Sequence, residues 1–215
     1  MMRRRMRYII EHPDRMLELT QEHVWLVAIS VLIAMLIGIP IGILITRLRW
    51  LEGSVIGVTG VLYTVPSLAL FSVLMPYTGL GARTVIIALV LYSLLAIVRN
   101  TVTGIDEVPR PTLDAARGMG MTGSQRLLLV ELPLALPVIL AGVRLATVAA
   151  IGIATVGALL GAGGLGQLIF DGIARGSTDR IVAGAISASV LALVADWALA
   201  QLGSRLRRDV QIAGR

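Results

Sequence analysis

The longest stretches of this chain carry no charge, and that limits what can surround them. Residues 23–46 hold no acidic or basic side chain apart from His23. Residues 53–82 are uncharged throughout and interrupted by Pro66 and Pro76. Residues 84–98, between Arg83 and Arg99, form a third block. Residues 134–160 are apolar except for Arg144, and 181–202 except for Asp196. A helix needs about 20 apolar residues to cross roughly 30 Å of hydrocarbon. In lipid, only helices and closed barrels satisfy every backbone N–H and C=O. The blocks therefore predict an all-α integral membrane protein with five spans. The second span, over about 54–75, should bend near Pro66. The third is short, and crosses if arginines at both ends snorkel to the interfaces. A hydrophobic share of 56% agrees with this reading, against about 45–50% for soluble domains.

Composition removes several function classes. All 19 Lys+Arg positions are Arg. A phosphate-binding loop of the G-x-x-x-x-G-K-[ST] kind needs a Lys, so energy from a nucleotide must come through a partner. There is no Cys, and only His12 and His23 carry imidazoles. No metal site, cofactor site or nucleophile–base set is expected. The net charge of +6 is explained by arginines at the ends of apolar blocks, where they orient helices in the bilayer. Nucleic acid is not an expected partner; the lipid bilayer is.

Three regions follow: a polar N-terminal segment at 1–22, a membrane domain at 23–203 and a basic tail at 204–215. Residues 15–23 are expected to form a short interfacial helix. The block after the N-terminal arginines is too long for a signal-peptide core, so the segment is read as retained. With residues 99–131 on the cytoplasmic side, ten arginines lie inside and three outside. Five spans then leave the N-terminus, with its five arginines, outside. Either the short tail tolerates this or the number of spans differs.

Residues 103–133 are polar where a plain helical bundle would need only a short connection. Thr112 is placed to cap a helix with Asp114 in its first turn. Gly120 and Gly123 permit a turn. A second helical piece is expected over 125–132, with Pro133 and Pro137 opening the next span. The expected product is a helix–turn–helix elbow on the cytoplasmic face, joined at both ends to membrane helices.

The elbow also carries a specific resemblance. Asp114-Ala115-Ala116, then Gly120, then Val130, Leu132 and Pro133 resemble, at every spacing, the E-A-A-x-x-x-G-x9-I-x-L-P loop of binding-protein-dependent ABC importer permeases. Asp stands for the usual Glu and Val for Ile. Thr64-Val65-Pro66-Ser67, Gly118-Met119-Gly120-Met121 and Gly161-Ala162-Gly163-Gly164-Leu165-Gly166 are similar to osmoprotectant permeases, which carry glycine betaine, choline or carnitine. Methionine-type permeases share the five-span layout and are the nearest alternative. The resemblance implies the type I permease fold in the bacterial inner membrane and coupling through Asp114, Ala115, Ala116, Gly120, Val130, Leu132 and Pro133. It implies an ATP-binding subunit as the partner that holds ATP, an extracytoplasmic substrate-binding protein, and a second permease chain, identical or related. The chain itself is then no enzyme. The competing class is an ATP-independent channel or secondary transporter, which needs no elbow and often shows inverted repeats; no repeat is evident.

Further residues have two readings each. Gly161-x-Gly163-x-x-Gly166 matches the dinucleotide fingerprint in form, but that motif needs a βαβ unit. A tight external turn, or close backbone packing near the pathway, fits better, and the resemblance sets the motif beside the translocation path; Pro66 and Ser67 are further pathway or packing candidates. Gly38-x-x-x-Gly42 is a spacing that permits close helix contact. Arg144 and Asp196 are either a polar element near the path, or an ion pair or interfacial residues. Tyr63, Tyr77, Tyr92, Trp25, Trp50 and Trp197 suit an interfacial belt or cation–π contact with a quaternary amine.

Overall fold

Every apolar block becomes helix. The computed structural model describes residues 7–213, with side chains for 8–204; Arg3, Arg4, Arg5 and the side chains of the tail arginines lie outside the described residues. The helices are α1 (Arg7–Glu11), α2 (Pro13–Arg47), α3 (Glu52–Thr64), α4 (Ser67–Thr78) and α5 (Ala82–Asp106). After these come α6 (Arg110–Gly118), α7 (Gly123–Arg126), α8 (Leu132–Gly157), α9 (Gly166–Ala174) and α10 (Thr178–Ala213). No strand occurs among the described residues.

α2 runs through 35 residues without a break, about 52 Å at 1.5 Å per residue. The separate interfacial helix expected over residues 15–23 is therefore the first turns of the first span. Pro13 at the start presets the helix, and no Gly or Pro follows until Gly38. Met16 and Leu19 are buried against Leu165 and Leu168, which ties these turns to the bundle.

The second block departs from a smoothly bent span. It divides at Val65–Pro66 into two helices inclined by 100°. Pro66 lacks an N–H, and its ring drives the preceding residue out of the helical region; Val65 has ψ 128°. The Tyr92 hydroxyl donates to the freed Val65 carbonyl at 2.6 Å. The pair still makes one crossing. Arg49, just before α3, pairs with Asp106 at the end of α5, and Thr78, at the end of α4, meets Thr84 at the start of α5. Four helices, α2, α5, α7–α8 and α10, are long and apolar enough to cross alone, and the broken pair is the fifth crossing. Glu22 meets the turn after α8, so the start of α2 lies at the end of the bundle opposite the elbow.

α5 is the central helix. Val85, Ala88, Leu89 and Ile97 are fully buried, and α2 and α8 flank it. Small residues bring these helices together. A Cβ on Gly42 would stand 2.5 Å from the Thr101 Cβ, and one on Gly142 2.5 Å from the Asn100 Cβ and 2.7 Å from the Ala96 carbonyl. Buried hydroxyls bond their own helix: Ser30 to Leu26 O at 2.6 Å, Ser93 to Leu89 O at 2.7 Å and Thr101 to Ile97 O at 2.7 Å. These three hydroxyls are thereby satisfied inside the span without a partner from another helix.

Overpacking the α5–α8 contact has a cost of about 1–3 kcal/mol. Gly142→Val should lower the melting temperature in detergent, whereas Gly152→Ala, with open space around it, should not. Equal melting temperatures would contradict the packing.

Candidate functional site

The first helix of the elbow, α6, begins earlier than the Thr112 cap suggested, and residues 103–106 belong to α5. Pro109 (ψ 129°) is the N-cap of α6 and makes no side-chain cap. Pro111 in the first turn needs no N–H partner and presets the helix. Thr112 thus lies inside the first turn and does not cap it, and Asp114 sits beyond that turn, where it accepts from Arg117 Nη1 at 3.0 Å. Ala116 is buried, whereas Asp114 and Ala115 are exposed.

α6 stops at a Schellman motif. Gly120 has φ +76°, its N–H donates to Arg117 O at 2.9 Å, and the Met121 N–H donates to Ala116 O at 3.2 Å. This closes the last carbonyls of α6, and only glycine adopts that φ without strain. Gly123 does not share the turning role; it is the first residue of α7. Thr122 and Gln125 form a capping box: Gln125 N–H to Thr122 Oγ1 at 3.3 Å, and Thr122 N–H to Gln125 Oε1 at 2.9 Å. The T-x-x-Q spacing at 122–125 is the sequence signature of this device, a signal that the expected helix over 125–132 passes over.

The second limb differs from the helical piece expected over 125–132. α7 starts at Gly123, passes into one π-helical turn at Leu127–Glu131, and continues as α8 with Pro133 in its first turn. Residues 123–160 are one continuous 38-residue span. Val130 and Leu132 are half-buried in the joint. No loop separates the elbow from the membrane helix, so displacement of α7 is passed directly to α8.

Glu131 holds this joint. Its side chain is 2% exposed and accepts from Arg126 Nε at 2.8 Å and from Arg47 Nη2 at the end of α2. A buried carboxylate needs such partners. Beside it, Arg49 grips Asp106 through both guanidinium ends and Glu52 at 3.1 Å. Around these groups a cleft of about 360 Å³ is lined by Arg47, Arg49, Asp106, Arg110 and Glu131. The outer face of the elbow is unpartnered: Met119 is 70% exposed, and Leu128 and Leu129 are 62% and 65% exposed. These exposed apolar side chains, beside small and charged residues, are open to a partner or to lipid.

The glycine motif lies at the other end of the bundle. Gly161, Gly163 and Gly164 all have positive φ, and Gly166 rests directly on the Thr155 backbone. The Gly164 N–H donates to Glu22 Oε2 at 2.8 Å. The motif follows α8 rather than a strand, so it is a turn docked on α2. Pro66 and Ser67 sit at the α3–α4 break, apart from both ends. Arg144 and Asp196 form a bidentate pair between α8 and α10, with Nη2 to Oδ2 at 2.5 Å. No group of three metal-binding side chains occurs among the described residues.

Gly120→Val places a β-branched side chain at a left-handed position, at about 1–2 kcal/mol. Membrane insertion should remain at the wild-type level while ATP-driven uptake by the assembled transporter is lost. Unchanged uptake would contradict a role for the turn in coupling.

Comparison with known proteins accords with this geometry. Residues 38–208 match the family described as binding-protein-dependent transport system inner membrane component. The osmoprotectant import permease protein OsmW of Salmonella typhimurium is 44% identical over 200 residues, covering 91% of this chain and 93% of that protein. The glycine betaine/carnitine/choline transport system permease protein OpuCD of Bacillus subtilis is 47% identical over 196 residues, covering 91% and 86%. Among solved structures, an inward-facing form of the MetNI methionine ABC transporter superposes with TM-score 0.81 at 22% identity, covering 89% of this chain and 95% of the other; that likeness concerns the fold. The chain is a multi-pass inner-membrane permease subunit and belongs to the binding-protein-dependent ABC importer permease family.

Proposed function

We propose that this permease carries quaternary-amine osmoprotectants such as glycine betaine, choline or carnitine, driven by ATP hydrolysis in a partner subunit that docks on the elbow. The observation that carries the coupling half is the Glu131 joint. It ties α7, the second limb of the elbow, to the end of α2 at the point where the chain runs on into α8. Closure of an ATPase dimer against two elbows then moves both helices of each permease, and alternating access follows. ATP is held by the partner, since this chain has no phosphate loop. A second permease chain completes the path, and an extracytoplasmic binding protein delivers solute at the glycine-turn end.

The substrate half rests on relatives at 47% identity named for glycine betaine, carnitine and choline and on one at 44% named for osmoprotectants. The methionine importer shares the fold at 22% identity, too distant to carry a substrate.

The complex, reconstituted with its ATPase and binding protein, should take up labelled glycine betaine only with ATP. Excess choline or carnitine should compete, and methionine should not. Competition by methionine, or flux without ATP, would contradict the reading.

A further inference from the structure

Beneath the α3–α4 break, a pocket of about 160 Å³ lies between α3, α5 and α8. An apolar cavity of about 150 Å³ holds a molecule the size of benzene. Its walls combine two chemistries. At one end, Tyr63 and Tyr92 meet edge to face, with centroids 6.2 Å apart. The Tyr92 hydroxyl is committed to the Val65 carbonyl, which fixes that ring. At the other end lie Arg99 and Asn100. The α8 wall is apolar, from Leu145, Ala146 and Ala149.

Arg99 lies seven residues before the end of α5, about 10 Å inside the helix. Helical side chains lean toward the N-terminus, so Arg99 leans toward the tyrosines, two turns away on the same face. Arg47, Arg49, Arg126 and Arg144 each have a carboxylate partner. Among the described residues, no ion pair compensates Arg99. Asn100 commits one N–H to Ala96 O at 2.8 Å and keeps the other. No carboxylate lines the pocket. The sequence pattern alone sets Arg99 at an interface, but the candidate span runs on to Asp106; an uncompensated cation within it is costly, and such residues mark solute pathways.

We propose that this pocket is a transit site for a zwitterionic quaternary amine, its trimethylammonium against the rings of Tyr63 and Tyr92 and its carboxylate at Arg99 and Asn100. The proposal rests on the substrate reading above. Aromatic faces attract a quaternary cation without a charged partner, and the carboxylate supplies the anion that Arg99 lacks. Choline has the cation and no carboxylate, so it keeps the ring contacts but passes less readily against the Arg99 charge. Arg144 is neutralised by Asp196 and does not compete.

The test is uptake of glycine betaine and of choline by the whole complex with its binding protein in proteoliposomes. Arg99→Gln should lower the glycine betaine-to-choline uptake ratio about tenfold, as loss of a charge-assisted contact implies. Arg99→Lys should lower it less. Tyr63→Leu should depress both solutes and leave the ratio near wild type. If Arg99→Gln fails to assemble, the Arg99→Lys and Tyr63→Leu ratios decide. An unchanged ratio in the Arg99 variants overturns the transit site and leaves the osmoprotectant reading standing. A wild-type complex that carries neither solute overturns both.

Discussion

One buried carboxylate joins the elbow to the membrane helices. Glu131 is held by Arg126 in the elbow and by Arg47 at the end of α2. Removing one member of a buried ion cluster leaves the others uncompensated, so the three groups behave as a unit. The π-turn at Leu127–Glu131 belongs to the same device, since an extra residue in a helical turn re-aims side chains and recurs at functional positions. With the Schellman turn at Gly120 fixing the angle between α6 and α7, the elbow is a short lever with a stiff joint rather than a flexible loop.

The membrane half obeys the other constraint, that backbone groups must find partners where water is absent. Two departures from regular helix show it. The carbonyl freed at Val65–Pro66 is taken by Tyr92, and the Gly164 N–H by Glu22. These repairs also set function. The Tyr92 bond places an aromatic pair over a pocket, and the Glu22 bond ties the turn after α8 to the start of α2. α8 thus meets α2 at both of its ends, through Glu131 and through this turn. The elbow is thereby connected to the opposite end of the bundle through continuous helices.

The helices and the elbow were legible because they rest on local pattern. Uncharged blocks marked the spans, and the spacing from Asp114 to Pro133 marked the elbow. The site's wiring was not legible. Arg47 and Glu131 are 84 positions apart and Glu22 and Gly164 142 apart, and charge alone names no partner at that distance. Arg144–Asp196 lay between two readings for the same reason, and the geometry makes it an ion pair. The start of α6 was misplaced because Thr112 is a good cap in isolation, whereas two prolines upstream already preset the helix. The first span was drawn too short because charged residues end a hydrophobic block without ending a helix. The relation of the N-terminus to the elbow followed once the broken pair at Pro66 proved to be one crossing.

The coupling account stands or falls on whether the Glu131 joint transmits. The direct measurement is ATPase activity of the complex in lipid, with and without its solute-loaded binding protein, in wild type and in Glu131→Ala. The account predicts stimulation in the wild type. In the variant it predicts an ATPase that still co-purifies and keeps its basal rate but no longer responds. Stimulation of the Glu131→Ala complex to the wild-type extent would contradict it.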